Sequence, residues 1–251
     1  MKTVSSLLIF VLLTLLSCSK KIPPEPRVGM DPSWSPLEYG VRNNNISAFS
    51  TEILTEIGKM KKIPFAKILV NWNDLIDGLQ KGKYEAILSS KTPEIFNQSI
   101  FDFSDIYLPL GPVLVVPVSS KIDSLDHLNG KKIAIISGSN TALILEKSQG
   151  VLIVNYNSIP TALNDTLVGH VDGVLIDILS AAIFCQDLYD GELKIATRPL
   201  NEEGLRLITK HNRAPDLIKG FNEGLKRMKQ NGSYAKLLDK WGLQEPAPES
   251  K

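Results

Sequence analysis

Apolar residues recur at helical spacing through residues 47–62, SAFSTEILTEIGKMKK, where Phe49, Ile53, Leu54, Ile57 and Met60 share one face. This period predicts an amphipathic helix whose stripe lies against a core. Before it, Arg27-Val28-Gly29-Met30 reads as a short strand ending at Asp31, in the turn DPSWSP. After it, IPFAKILV reads as a strand and WNDLIDGLQKGK as a short helix, with Asn73 as its cap and Gly82 near its stop. YEAILSS is a further strand. The order β, α, β, α, β predicts a parallel sheet with helices on its faces.

Val113 to Val118, VLVVPV, reads as a strand that Pro117 confines to an edge or a connector. The alternation then restarts. SLDHLNG predicts a small capped helix, KKIAIISGSN a strand running into a turn, and TALILEKSQG a helix. VLIVNY is a strand, SIPTALNDTLVGH a helix, and VDGVLIDILSAAIFC a strand leading into a helix. ELKIATRPL and residues 205–210 give the last strands. Helices over Ala214–Gln230 and Tyr234–Trp241, broken at Asn231-Gly232, close the fold, and residues 245–251 form a disordered tail. Two α/β units in series predict two lobes.

The first segment stands apart from this pattern. Lys2 precedes an apolar run from Val4 to Leu16 that is short for a bilayer span, so residues 1–17 read as an export signal. Leu15-Leu16-Ser17-Cys18 is similar to the end of a bacterial lipoprotein signal, in which Cys18 becomes the lipid-modified first residue. An ordinary cleaved signal with an incidental cysteine is the alternative. Residues 18–26 form the lipidated cysteine and a proline-rich tether, KKIPPEP. The expected location is the periplasm or cell envelope, on a membrane anchor. Beyond Ser17 basic and acidic residues balance, which gives no electrostatic case for a nucleic-acid partner. With Cys18 acylated, Cys185 in AAIFCQDL has no partner and reads as a buried, inert thiol.

The residues do not read as a catalytic set. His127, His170 and His211 are scattered, without metal-ligand spacing, so no metal and no cofactor is expected. There is no G-x-S-x-G elbow, phosphate loop or dinucleotide fingerprint. Instead, polar residues stand at strand ends: Asp31, Ser89 to Thr92, Ser137 to Thr141, and Asp177. In open α/β sheets ligands bind beyond the carboxyl ends of strands, and two lobes offering such ends across a cleft suit a small ligand.

Seven segments together carry a family resemblance: VGMDPSWSPLE, AFSTEILTEIGK, WNDLIDGLQKGKYEAI, FDFSDIYLPLG, LNGKKIAIISGSN, VDGVLIDI and LKRMKQNGSYAKLLDKWG. Over residues 27–243 the chain resembles the family 3 extracellular solute-binding proteins, the receptors of polar amino-acid ABC importers. The resemblance implies an α/β fold of the two-lobed type II, Venus-flytrap kind, each lobe a mostly parallel sheet flanked by helices. It places lobe one in residues 27–112 and 200–244, lobe two in residues 113–199, and hinge crossings near Pro112–Ser119 and Ala196–Leu200. It implies a ligand ammonium on Asp177, hydrogen bonds from Ser90 and Thr92, and a carboxylate held by Ser139, Asn140 and Thr141. Asp31 and Trp34 would line the side-chain part, with Phe49 nearby, and Phe101-Asp102-Phe103 would anchor the loop behind the site.

The family places an arginine five residues after the position of Thr92, where this chain has Asn97, or Ile95 in a shifted alignment. A charge-assisted bond contributes about 1.5–3 kcal/mol. Its absence leaves three ligands open: an amino acid held by amides and hydroxyls, a solute without a free α-carboxylate, or one met by a cation from elsewhere. The function implied is a monomeric, non-enzymatic receptor that captures a small polar solute, foremost an amino acid such as glutamine, and delivers it to an ABC permease. The alternative is a prephenate-type dehydratase on the same fold.

Overall fold

The computed structural model describes residues 25–34 and 42–243. The export signal, Cys18, most of the tether and the tail expected at 245–251 lie outside the described residues.

Strand β1 (Arg27–Met30) is followed by helix α1 (Arg42–Lys61), β2 (Ala66–Leu69), α2 (Trp72–Gln80) and β3 (Ala86–Ser89). Then come the single turn α3 (Ile95–Gln98), β4 (Phe101–Phe103), β5 (Leu108–Pro109) and β6 (Pro112–Pro117). The second unit runs β7 (Lys132–Ile136), α4 (Ala142–Leu145), β8 (Leu152–Tyr156), α5 (Ile159–Leu167), β9 (Gly173–Asp177), α6 (Ile178–Ile183) and β10 (Leu193–Ile195). The chain returns in β11 (Gly204–Lys210) and ends in α7 (Pro215–Gln230) and α8 (Ser233–Lys240).

The strands form two sheets. One has the order β2-β1-β3-β11-β4, with β5 also on β11; the other has the order β10-β6-β9-β7-β8. Each sheet is mixed. Strands β2, β1 and β3 are mutually parallel, as are β8, β7 and β9, while β11 and β6 pair antiparallel to their neighbours. The antiparallel members are the strands adjoining the connections between sheets.

The alternating apolar pattern sorts each sheet into two buried faces. In β6, Val113 and Val115 pack on one side with Ala162, Leu163 and Leu179, and Leu114 and Val116 on the other with Leu128 and Leu145. This strand is internal rather than at an edge: it pairs with β9 through Pro112–Val115 and with β10 through Val115–Pro117. Its prolines stand at its two ends, and Pro117 lies beyond the β9 ladder, so a missing N–H interrupts no central pairing.

In the first sheet, Leu205 and Leu207 face α1 and α7, while Ile87 and Ile208 face Leu75 and Leu79 of α2. Phe49 lies at the centre of the first of these faces. Its ring stacks on Tyr107 at 6.4 Å and meets Tyr234 edge-on at 5.9 Å. The Tyr107 hydroxyl bonds Ser50 Oγ at 2.9 Å, and the Tyr234 hydroxyl donates to the Tyr107 carbonyl at 2.8 Å. Burial pushes the Tyr107 phenol far above its ordinary pKa, so it stays neutral. Phe49 is 0% exposed: one helix stripe carries Phe49, Ile53, Leu54 and Ile57 into the same core.

Other boundaries shift for local reasons. Helix α1 starts before residue 47 because Asn43 and Asn45 donate to the carbonyls of Ser33, at 2.6 Å, and Trp241, at 3.0 Å. The cap of α2 is Asn71, not Asn73, and its side chain makes no capping bond. The helix expected over TALILEKSQG is one turn, of which only Leu145 is buried. The Phe101-Asp102-Phe103 segment is structural. It pairs with β11, and the Asp102 carboxylate accepts from the Asn212 amide at 2.7 Å and meets His211 Nδ1 at 2.8 Å.

Replacing Phe49 by alanine empties the centre of the aromatic cluster. Phe49→Ala should destabilise the protein by about 3–5 kcal/mol, read as a lower urea midpoint.

Candidate functional site

The chain passes from the first sheet to the second through Leu110 and Gly111, between β5 and β6, and returns through residues 196–203. The first crossing thus precedes the segment expected for it, because residues 112–117 already belong to the second sheet. The two passages are tied together. The Leu110 amide donates to the Glu203 carbonyl at 3.0 Å, and the Leu200 amide to the Pro112 carbonyl at 2.8 Å. Gly111 allows this approach: a Cβ there would stand 2.3 Å from Asn201 Oδ1.

A cavity of about 340 Å³ opens beside this junction. Its second-lobe wall comes from the carboxyl ends of β7 and β9, adjacent parallel strands in register at Ile135 and Leu175. Beyond β7, Gly138 has φ 84°, a left-handed conformation suited to glycine, and turns the chain into Ser139-Asn140-Thr141. Ser139 Oγ donates to the Ile136 carbonyl at 2.7 Å. Ser139 Oγ also meets Thr141 Oγ1 at 2.6 Å, and with its own proton on Ile136 the donor of that bond is Thr141. The amides of Asn140 and Thr141 have no hydrogen-bond partner among the described residues.

Asp177 ends β9 and caps α6, its Oδ1 accepting from the Ser180 amide at 2.9 Å. Its Oδ2 has no hydrogen-bond partner among the described residues. Ile136, Ile144, Ile159, Leu175, Ile176 and Pro112 give the cavity an apolar body, and Asn201 and Glu203 close it from the returning crossing. Asn201 Oδ1 accepts from the Glu203 amide at 3.1 Å, which fixes that turn. Among the described residues the cavity walls therefore carry two carboxylates, Asp177 and Glu203, and no cationic side chain.

Four of the residues expected at the site, Ser139, Asn140, Thr141 and Asp177, meet on this cavity. Those expected from lobe one do not line it. Asp31 is 5% exposed and accepts from the Ser33 amide at 3.1 Å, within the turn after β1. Trp34 is buried, and its indole N–H donates to Ser47 Oγ at 2.7 Å. Ser90 and Thr92 are half-buried beyond β3, and Thr92 Oγ1 donates to Glu94 Oε1 at 3.2 Å. Asn97 is buried and donates to the Thr92 carbonyl at 2.9 Å, which braces this loop. Because Ser89 is in register with Arg206, the end of β3 shares a sheet edge with the start of β11, just past Glu203.

Sequence reasoning missed Asn201 and Glu203, whose signal was two polar residues just before the last strand. It also missed Arg206. This side chain is 7% exposed and donates to the carbonyls of Ser104, at 3.1 Å, and Glu202, at 3.3 Å, while its Nε has no hydrogen-bond partner among the described residues. Burial lowers its pKa, and the nearby Glu202 and Asp105 carboxylates oppose that shift. Arg206 does not line the cavity. His127, His170 and His211 each meet one carboxylate on separate elements, and no group that could hold a metal ion occurs among the described residues. Cys185 is a free thiol whose pKa burial raises to about 11. No helix among the described residues is long and apolar enough to cross a membrane.

Residues 27–244 match the family described as bacterial extracellular solute-binding proteins, family 3. The chain is 24% identical over 217 residues to the L-cystine-binding protein TcyJ of Escherichia coli K12, covering 85% of this chain and 81% of that one. It is 26% identical over 219 residues to the glutamine-binding protein GlnH of Bacillus subtilis, covering 83% and 78%. Among solved structures, the unliganded open L-cystine solute receptor of Neisseria gonorrhoeae superposes with a TM-score of 0.70 at 20% identity. It covers 89% of this chain and 95% of that one, a likeness of fold.

Asp177 caps α6 through its Oδ1. In ligand-free protein Asp177→Ala should cost about 0.5–2 kcal/mol and Asp177→Asn much less, since asparagine caps as well, read by thermal unfolding.

Proposed function

The chain belongs to the bacterial extracellular solute-binding proteins of family 3, and on that premise we propose that it is the solute receptor of an ABC importer. The observation that carries this reading is the cavity at the carboxyl ends of β7 and β9, walled on its other side by the returning crossing. It takes a small solute bearing an ammonium group. Asp177 Oδ2 accepts from that group while Oδ1 stays on the Ser180 amide. The Ser139–Thr141 turn contacts a neighbouring polar group. The names of the relatives, binding proteins for L-cystine and glutamine, support a solute of amino-acid size and a receptor rather than an enzyme.

Residues 27–112 with 200–244 act as lobe one and residues 113–199 as lobe two. Ser90 and Thr92, on the edge that adjoins Glu203, reach the solute from lobe one when the lobes close. A ligand that bridges both lobes stabilises the closed state by its differential affinity, and the permease recognises that state. The protein works as a monomer at the cell envelope, held by an acylated Cys18, whose buried chains anchor it without a spanning helix.

A thermal-shift scan with free amino acids, amines, amides and short peptides tests the receptor reading. A solute at a hundred times its Kd should stabilise the protein by about 2.7 kcal/mol. The shift should disappear in Asp177→Asn, which keeps the cap. Absence of any shift across the panel would count against a receptor for such solutes.

A further inference from the structure

We infer that the solute is an organic cation without a free carboxylate, an amine with an apolar body. The inference rests on the cavity's being the solute site and specifies which solutes it takes.

Among the described residues the cavity walls carry Asp177 from β9 and Glu203 from the returning crossing, and no cationic side chain. These two carboxylates come from different lobes of the fold, joined at the Leu110–Pro112 junction. Oδ2 of Asp177 is unused, and Glu203 is exposed with its backbone alone engaged, through Asn201 and Leu110. Both are therefore ready acceptors. A like charge brought among them is repelled, and an ammonium is attracted, more strongly as closure removes water.

The hydroxyls point to the same ligand independently. The Ser139 proton is committed to the Ile136 carbonyl, and the Thr141 proton to Ser139. Thr141 is 9% exposed, so its bond is shielded from competing water. Both oxygens consequently offer lone pairs, not protons, which suits a donor-rich cation. Among the described residues a ligand carboxylate would find neutral amide donors, those of Asn140, Thr141 and the asparagine side chains, against two fixed negative charges. Ile136, Ile144, Ile159 and Leu175 favour an apolar chain or ring beside the cation.

Matched pairs that differ by one α-carboxylate test this by titration calorimetry on the purified protein: isopentylamine and leucine, tyramine and tyrosine, cadaverine and lysine. The expected result is that an amine binds about tenfold or more tightly than its amino acid, and that Glu203→Gln weakens the amine by about tenfold. Equal or tighter binding of the amino acid in every pair that gives heat would overturn this inference and leave the receptor reading standing. Binding of an amine that Glu203→Gln leaves unchanged would also overturn it. Silence from amines and amino acids alike would overturn this inference, while the receptor reading falls only if the amides and short peptides of the thermal-shift panel are silent as well.

Discussion

Three residues, Leu110 to Pro112, hold the two sheets in one molecule. Leu110 hydrogen-bonds the segment that starts β11 in the first sheet, Pro112 accepts from Leu200 beside β10 in the second, and the Gly111 carbonyl accepts from Ile178 at 3.3 Å. On the outgoing passage only Leu110 and Gly111 separate the strands of one sheet from those of the other. The missing side chain of Gly111 lets Asn201 fill the space where a Cβ would stand. Asp177, one residue before Ile178, and Glu203, two after Asn201, reach the cavity from the two ends of this knot. Their relative position is set by backbone hydrogen bonds, not by flexible side chains.

Much of the fold was legible because its signals are local. The stripe of Phe49, Ile53, Leu54 and Ile57 specifies a helix face, and the alternation through Val113–Val116 fills both faces of a buried strand. Where reading failed, tertiary contacts decided. Pro117 suggested an edge strand, but it lies beyond the β9 ladder and at the end of the β10 ladder, so it breaks no central pairing. The start of α1 depends on asparagine bonds to Ser33 and Trp241, the second almost the whole chain away.

The lining of the cavity was legible from the second sheet only. Ser139 to Thr141 and Asp177 follow strands whose apolar cores are unmistakable, so the polar residues after them stand out. Phe49 and Asn97 do not line the cavity, and their residue types gave no warning: a buried phenylalanine and a loop asparagine read alike in core, strut and pocket. Glu203 was missed because its role arises from the crossing, and a crossing is defined by which sheet each flanking strand joins. Hydroxyl proton routing was equally hidden, since it depends on the Ile136 carbonyl turning toward Ser139.

The second lobe is one continuous stretch of chain inserted between β5 and β11, whereas the first is assembled from both ends. This asymmetry bears on the order of folding. Residues 112–195 contain every strand of their own sheet and can pair without waiting for the rest. Strand β11 cannot fill the gap between β3 and β4 until the whole insert has been traversed, and closing so long a loop is entropically costly. A formed second lobe shortens that loop by bringing Pro112 against Leu200. The inserted lobe then serves as the template on which the divided one is completed, and non-local contacts of this kind make completion the slow event.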